Sequence, residues 1–174
     1  MSPFGFKVVE EMNNQGVMID ISHVSDAAFM KVLELSRAPV VATHSSLRHF
    51  TPGWERNVSD EMLIALAENG GVIQLCFGSD FVANRKDNPD LEVSVKNVVD
   101  HIDRVRDLVG IDHVGFGSDF DGEVPLPDDI NDVSKFPNLI EELLIRGYSE
   151  SEIDKILNGN ILRVWKEVRS LADA

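Results

Sequence analysis

Two of the five histidines close short apolar runs: His23 ends GVMIDISH and His44 ends PVVATH. Neutral imidazole is the commonest protein ligand for zinc-type metals. A lone histidine at a strand end reads as a satisfied structural residue; two in equivalent positions keep a shared metal ion beside that reading. Asp119, in the run HVGFGSDFDG, is the third candidate. A carboxylate there can bind metal or take a proton from bound water. Asp121 competes with it but reads better as a turn residue before Gly122. Arg56 and Arg48 follow His44 in a turn-rich loop. A guanidinium beside a metal would recognise a substrate carboxylate, its planar fork matching two oxygens; plain solvation is the alternative for either arginine.

The remaining candidates are weaker. The single His-x-Asp, His101-Ile102-Asp103, lies in an amphipathic helical stretch, where residues i and i+2 point about 200° apart; it is rejected as a metal site. His49 reads as loop surface and His113 as a structural residue at the start of a strand. Strand alternation points Asp20 away from His23, giving it a structural or supporting hydrogen-bond role. Cys76, the only cysteine, cannot form an internal disulfide and reads as a small core residue.

The elements that must position these side chains follow from periodicity. Buried parallel strands read as near-continuous β-branched runs. Four such runs are expected, at 16–23, 39–44, 71–78 and 113–122, the last a strand that ends at Asp119 and runs into a loop. A helix over 26–37, capped by Ser25, is long enough to cross between the first two. Others are expected from Ser2-Pro3 to Gly16, from the Ser59 cap to Glu68, over 94–108, and over 134–146 and 149–171. A polar, mobile loop is expected over 79–92. Strand, loop and helix thus recur four times, placing His23, His44 and Asp119 at the C-terminal ends of parallel strands, where ligands and chemistry collect in α/β folds. Four units are half of a (β/α)8 barrel, which takes ~250 residues when complete. An open doubly wound sheet fits the periodicity too, but no Gly-rich phosphate loop supports it; G-x-G-x-x-F at Gly115–Phe120 is a failed match.

The 174 residues carry a net charge of −14, with pI near 4.6 and mean hydropathy of −0.08. An acidic protein meets no favourable field at nucleic acid or at an anionic membrane, so neither is expected as a partner. No stretch resembles a signal peptide or spans a bilayer, and the expected location is cytoplasmic.

GVMIDISHVS, PVVATHSS, ERNVSD, HVGFGSDFDG and GNILRVWKEV, in that order, resemble the C-terminal half of the membrane (renal) dipeptidase family, peptidase family M19. The resemblance covers about residues 4–168. It implies an α/β fold, a metal-dependent-hydrolase TIM barrel, of which residues 1–174 would be a single partial domain holding strands five to eight and the C-terminal helices. It implies two bridged zinc ions in the intact enzyme, with dipeptides as substrates. His23 and His44 match the histidines of the second zinc. Asp119 matches the aspartate beside the first zinc, credited with proton transfer, and Arg56 the arginine that holds the substrate carboxylate. Phe81 falls where some members place a substrate-contacting tyrosine.

The family's first-strand His-x-Asp, bridging glutamate and further substrate-contacting histidine have no counterpart here. The chain is therefore expected to be a fragment with one weak zinc site, inactive alone. It is expected to self-associate or to pair with a separate N-terminal barrel half. A catalytically dead metal-binding or structural half-barrel is the competing reading, and a barrel hydrolase of cyclic amides or esters a third.

Overall fold

Three parallel strands, β1 (Val41–Ser45), β2 (Val72–Cys76) and β3 (Val114–Ser118), form one sheet in the order β1-β2-β3. Each opens on β-branched residues with almost no exposure: Val41 is 1% exposed, and Val72, Ile73 and Val114 are 0%. Such strands are covered on both faces, so alternation is absent from their sequences. The computed structural model describes residues 1–172; the last two residues of the expected 1–174 domain lie outside them.

Helices α1 (Pro3–Asn14) and α2 (Asp26–Leu35) precede β1, α3 (Asp60–Glu68) joins β1 to β2, and α5 (Val95–Val109) joins β2 to β3 after the single turn α4 (Ser79–Val82). The expected serine caps are present. Ser2, Ser25 and Ser59 accept from the amides of Gly5, Ala28 and Met62 at 3.2, 3.3 and 3.3 Å, satisfying donors that the first helical turn leaves without partners. At α5 the Ser94 amide donates to Asn97 Oδ1 at 3.0 Å, and the Asp129 carboxylate receives the Val95 amide. Helix α4 corrects the expectation of an unstructured 79–92 loop. His113 ends a 3-10 turn before β3, and its Nδ1 meets the Gly71 carbonyl at 2.8 Å, a structural role as expected.

The C-terminal part holds α6 (Phe136–Ile145), then α7 (Glu150–Asp154), which runs through a π-helical turn (Lys155–Gly159) into α8 (Asn160–Ser170). Asn160 opens α8, and its buried amide donates to the Ile111 and Val114 carbonyls at 2.7 and 2.8 Å. This ties the last helix to the start of β3.

The expected first strand needs correction. Residues 16–23 do not form a ladder; they make one parallel bridge, Asp20 to Val41. Val41 donates to the Ile19 carbonyl at 3.0 Å and Ile21 to the Val41 carbonyl at 2.8 Å. Beyond that, side chains take the place of backbone acceptors. Asp20 Oδ1 receives the Thr43 amide at 3.1 Å, and Ser22 Oγ receives the His44 amide at 3.1 Å. With these donors satisfied sideways, the chain leaves the sheet, and His23 takes a left-handed backbone (φ +64°).

The other strand ends are irregular too. Pairing between β1 and β2 shifts between Ala42 and Ser45, and pairing between β2 and β3 shifts between Leu75 and Cys76. Such bulges re-aim side chains at the rims of sheets. Gly117 sits where the strands crowd: a Cβ there would lie 2.2 Å from the Thr43 carbonyl oxygen and 2.7 Å from that of Gln74. No side chain fits.

Candidate active site

The bulge in β1 brings Thr43 and His44 to the C-terminal end of the sheet, and the turn after Asp20 swings His23 over them. The two Nε2 atoms face each other at 2.9 Å, with ring centroids 4.9 Å apart. Arg56 comes from the loop beyond β1. Its Nη1 donates to Ser45 Oγ at 2.9 Å, and its Nη2 reaches the His44 carbonyl at 2.5 Å and His23 Nε2 at 3.1 Å. An arginine only donates, so His23 Nε2 is an acceptor there. Partial loss of hydration at its site end, then the adjacent Arg56 cation and His44, push the His23 imidazole below its ordinary value although the residue is largely exposed.

Arg56 lies against an aromatic wall. Its guanidinium carbon is 5.5 Å from the Phe81 ring centre, and Trp54 meets the same ring edge-on at 5.7 Å. Its Nε is buried and has no hydrogen-bond partner among the described residues. A buried, unpaired donor on a cation is costly, and both Nη atoms are already committed to Ser45, His44 and His23. Burial lowers the Arg56 guanidinium from its ordinary value.

Arg48, the alternative carboxylate clamp, is neither clamp nor solvated. It grips the Asp26 carboxylate with two bonds of 2.8 Å and donates from Nε to the Asn57 carbonyl at 3.0 Å. This pins the loop to the start of α2.

Asp119 follows β3 on a left-handed backbone (φ +66°), after Ser118 (φ +42°). Its carboxylate lies over Gly122, whose added Cβ would come within 2.6 Å of Oδ1, and Cys76 Sγ approaches Oδ2 at 3.7 Å. Burial pushes the Cys76 thiol up to about 11, so it is an inert neighbour. Asp121 is exposed in the following turn, as read from the sequence.

His101, rejected as a ligand, is fully buried. Its Nδ1 receives the Leu47 amide at 3.0 Å and its Nε2 lies 3.1 Å from the Val82 carbonyl. His49 is exposed. Among the described residues no three His, Cys, Asp or Glu side chains converge as a metal cage; the structure brings together the histidine pair. That pair suits a divalent cation. At this distance the two Nε2 atoms either share a proton, one ring donating to the other, or, where both are bare, offer a cation two donors, and imidazole nitrogen is a preferred zinc donor.

Thr43, which the sequence does not single out, completes the arrangement with Asp20, whose sequence reading is a structural or supporting hydrogen-bond role. Thr43 Oγ1 lies 2.6 Å from Asp20 Oδ2 and 2.7 Å from His44 Nδ1. Burial alone would raise the Asp20 carboxyl, but the bonds from Thr43 and Ser22 together hold it below its ordinary value. Only the bulge lets neighbours on one strand meet this way, and periodicity gives no sign of it.

The model of the membrane dipeptidase family, peptidase family M19, matches residues 1–174. The chain belongs to this family. Dipeptidase 3 of Rattus norvegicus and Dipeptidase 3 of Mus musculus are each 39% identical to this M19 chain over 173 residues. The chain spans about a third of the length of these curated relatives: the match takes 99% of this chain and 34% of each of them. Among solved structures, the probable dipeptidase PvdM from Pseudomonas aeruginosa superposes with a TM-score of 0.90 at 33% identity, covering 99% of this chain and 55% of that one. A metallo peptidase from Rhodobacter sphaeroides, liganded with a phosphinate mimic of the dipeptide L-Ala-D-Ala, superposes with a TM-score of 0.88 at 34% identity, covering 96% and 47%. The α/β architecture with a parallel sheet is therefore that of M19 dipeptidases.

Proposed function

We propose that this chain is the C-terminal part of a metal-dependent dipeptidase barrel, contributing strands five to eight, with the 19–21 segment in the place of the fifth. The observation that carries this reading is the facing pair of Nε2 atoms with Arg56 against it, at the ligand-binding end of a parallel sheet. His23 and His44 hold one divalent ion, most suitably zinc. When bound, such an ion lowers the pKa of a water and polarises a carbonyl.

The chain's own residues do the rest. Arg56 takes the C-terminal carboxylate of a dipeptide against the Phe81 and Trp54 wall, which fixes the scissile bond relative to the histidines. Asp119 accepts the proton of the attacking water and returns it to the leaving amine. The other ligands of a two-metal centre belong to the part of the family barrel that this chain does not span, so the chain alone binds one ion weakly and does not turn over. The 19–22 segment covers the outer edge of β1, and β3 is the other outer strand of the sheet; the edge of β3 and the far side of the 19–22 segment drive pairing with that remaining part or with a second copy.

The test is zinc titration and dipeptide turnover by the 174-residue chain, alone and with a separately expressed N-terminal half of an M19 barrel. One weakly bound zinc, no turnover alone, and chelator-sensitive cleavage on mixing that is lost with Asp119→Asn are expected. Chelator-sensitive hydrolysis by the chain alone would refute its incompleteness. Zinc binding without turnover in the mixture would make it a metal-binding remnant.

A further inference from the structure

Histidine offers a metal the nitrogen that carries no proton, and what selects that nitrogen is the hydrogen bond made by the other one. The surroundings of His44 determine this by counting hydrogens. Asp20 is an acceptor on both oxygens: Oδ1 receives the Ser22 and Thr43 amides at 2.9 and 3.1 Å, and Oδ2 lies 2.6 Å from Thr43 Oγ1. Thr43 has a single hydroxyl hydrogen, and it is spent on Asp20. Toward His44 Nδ1, 2.7 Å away, the hydroxyl can only accept.

We infer that Asp20 and Thr43 form a positioning relay, carboxylate to hydroxyl to imidazole, that keeps the proton of His44 on Nδ1 and leaves Nε2 bare for a metal ion. The juxtaposition is specific to the folded chain. Asp20 comes from the segment before α2 and Thr43 from β1, and they meet because Asp20 replaces the backbone acceptor that a regular ladder would offer Thr43. The bulge between Ala42 and Ser45 then turns Thr43 and His44 toward the same end of the sheet. Among the described residues His23 has no such relay; its Nε2 is marked as an acceptor by Arg56. The two histidines are therefore unequal, His44 being held in one tautomer and the exposed His23 completing the pair.

The inference rests on the metal-site reading above, but its decisive readout needs no metal. Nitrogen-15 NMR of the metal-free 174-residue chain at pH 8 reports the His44 tautomer. The expected spectrum has a protonated Nδ1 and a bare Nε2. Thr43→Val, which keeps the shape and removes the hydroxyl, should shift His44 toward the Nε2-protonated form and weaken zinc binding about 10- to 100-fold. Thr43→Ser should restore both. Wild-type His44 protonated on Nε2 would overturn the relay, as would a folded Thr43→Val chain with unchanged tautomer and zinc affinity. If Thr43→Val does not fold, the wild-type spectrum with the Thr43→Ser spectrum still decides. A wild-type chain with Nδ1 protonated that binds no zinc would support the relay while refuting the metal site.

Discussion

His23 Nε2 and His44 Nε2 point at each other across 2.9 Å although 21 residues separate them in the chain. Each is held from a different side, His44 from β1 by Thr43 and His23 from above by Arg56. Removing either imidazole leaves a single nitrogen donor, so His23→Ala and His44→Ala should each abolish zinc binding in a calorimetric titration. His101→Ala should leave zinc affinity unchanged, because both nitrogens of His101 are already committed to backbone groups. Loss of zinc in the His101 variant, with the pair intact, would show that the site lies elsewhere.

That His23 and His44 come together was legible because both end β-branched runs, although only His44 lies in a strand and His23 reaches it from a turn after the chain has left the sheet. The serine caps were legible for a similarly local reason, since an N-cap bond spans three residues. The interrupted first strand was not legible. GVMIDISH has the composition of a ladder strand, and only Asp20 and Ser22, by capturing the amides of Thr43 and His44, end it early. Residue type and loop position alone did not separate the two arginines, and only the family resemblance singled out Arg56; in the structure they diverge because Asp26 lies in reach of Arg48 and His23 in reach of Arg56.

Arg48 should therefore matter for stability rather than for the site. Its bidentate pair with Asp26 is partly exposed, the two side chains being 19% and 47% accessible, and the bond from Arg48 holds the Asp26 carboxyl below its ordinary value. Arg48→Ala should cost about 1 kcal/mol in urea unfolding, near the upper end for exposed ion pairs. Arg48→Lys should not recover it, because an ammonium cannot reproduce the two-pronged grip. Zinc affinity should stay as it was.

Gly117 admits no side chain, because the atoms in the way are backbone carbonyl oxygens of β1 and β2. Gly117→Ala must push β3 away from Thr43, and Thr43 is the residue that touches His44. The substitution should destabilise the fold by roughly 3 kcal/mol, toward the upper end of overpacking costs, and should weaken zinc binding in whatever fraction folds. Gly110, where an added Cβ meets nothing within 4 Å, has a left-handed backbone (φ +94°). There alanine should cost less, through backbone strain alone, and leave zinc affinity unchanged. Equal zinc affinity in both variants would break the link between strand spacing and the site.

His101 gives the fold a pH dependence whose sign can be worked out. Its ring is enclosed, receives the Leu47 amide at Nδ1 and lies against the Val82 carbonyl at Nε2, so it links the loop carrying Arg56 to the turn carrying Phe81. Burial pushes its pKa down from 6.5 to about 4; the Val82 bond works the other way, and His49 adds to the lowering. Between those values the unfolded chain binds a proton that the folded chain refuses. Stability from this group is therefore complete above pH 6.5, declines as the pH falls, and is gone below about 4. The difference corresponds to roughly 3 kcal/mol. Urea unfolding measured from pH 8 down to pH 4 should show this loss, and a proton should be taken up on unfolding at pH 5. His101→Gln, which does not titrate, should be less stable than the wild type at pH 8 yet show a flatter profile between pH 6.5 and 4. An equally steep profile in that variant would assign the dependence to other groups and leave His101 as packing alone.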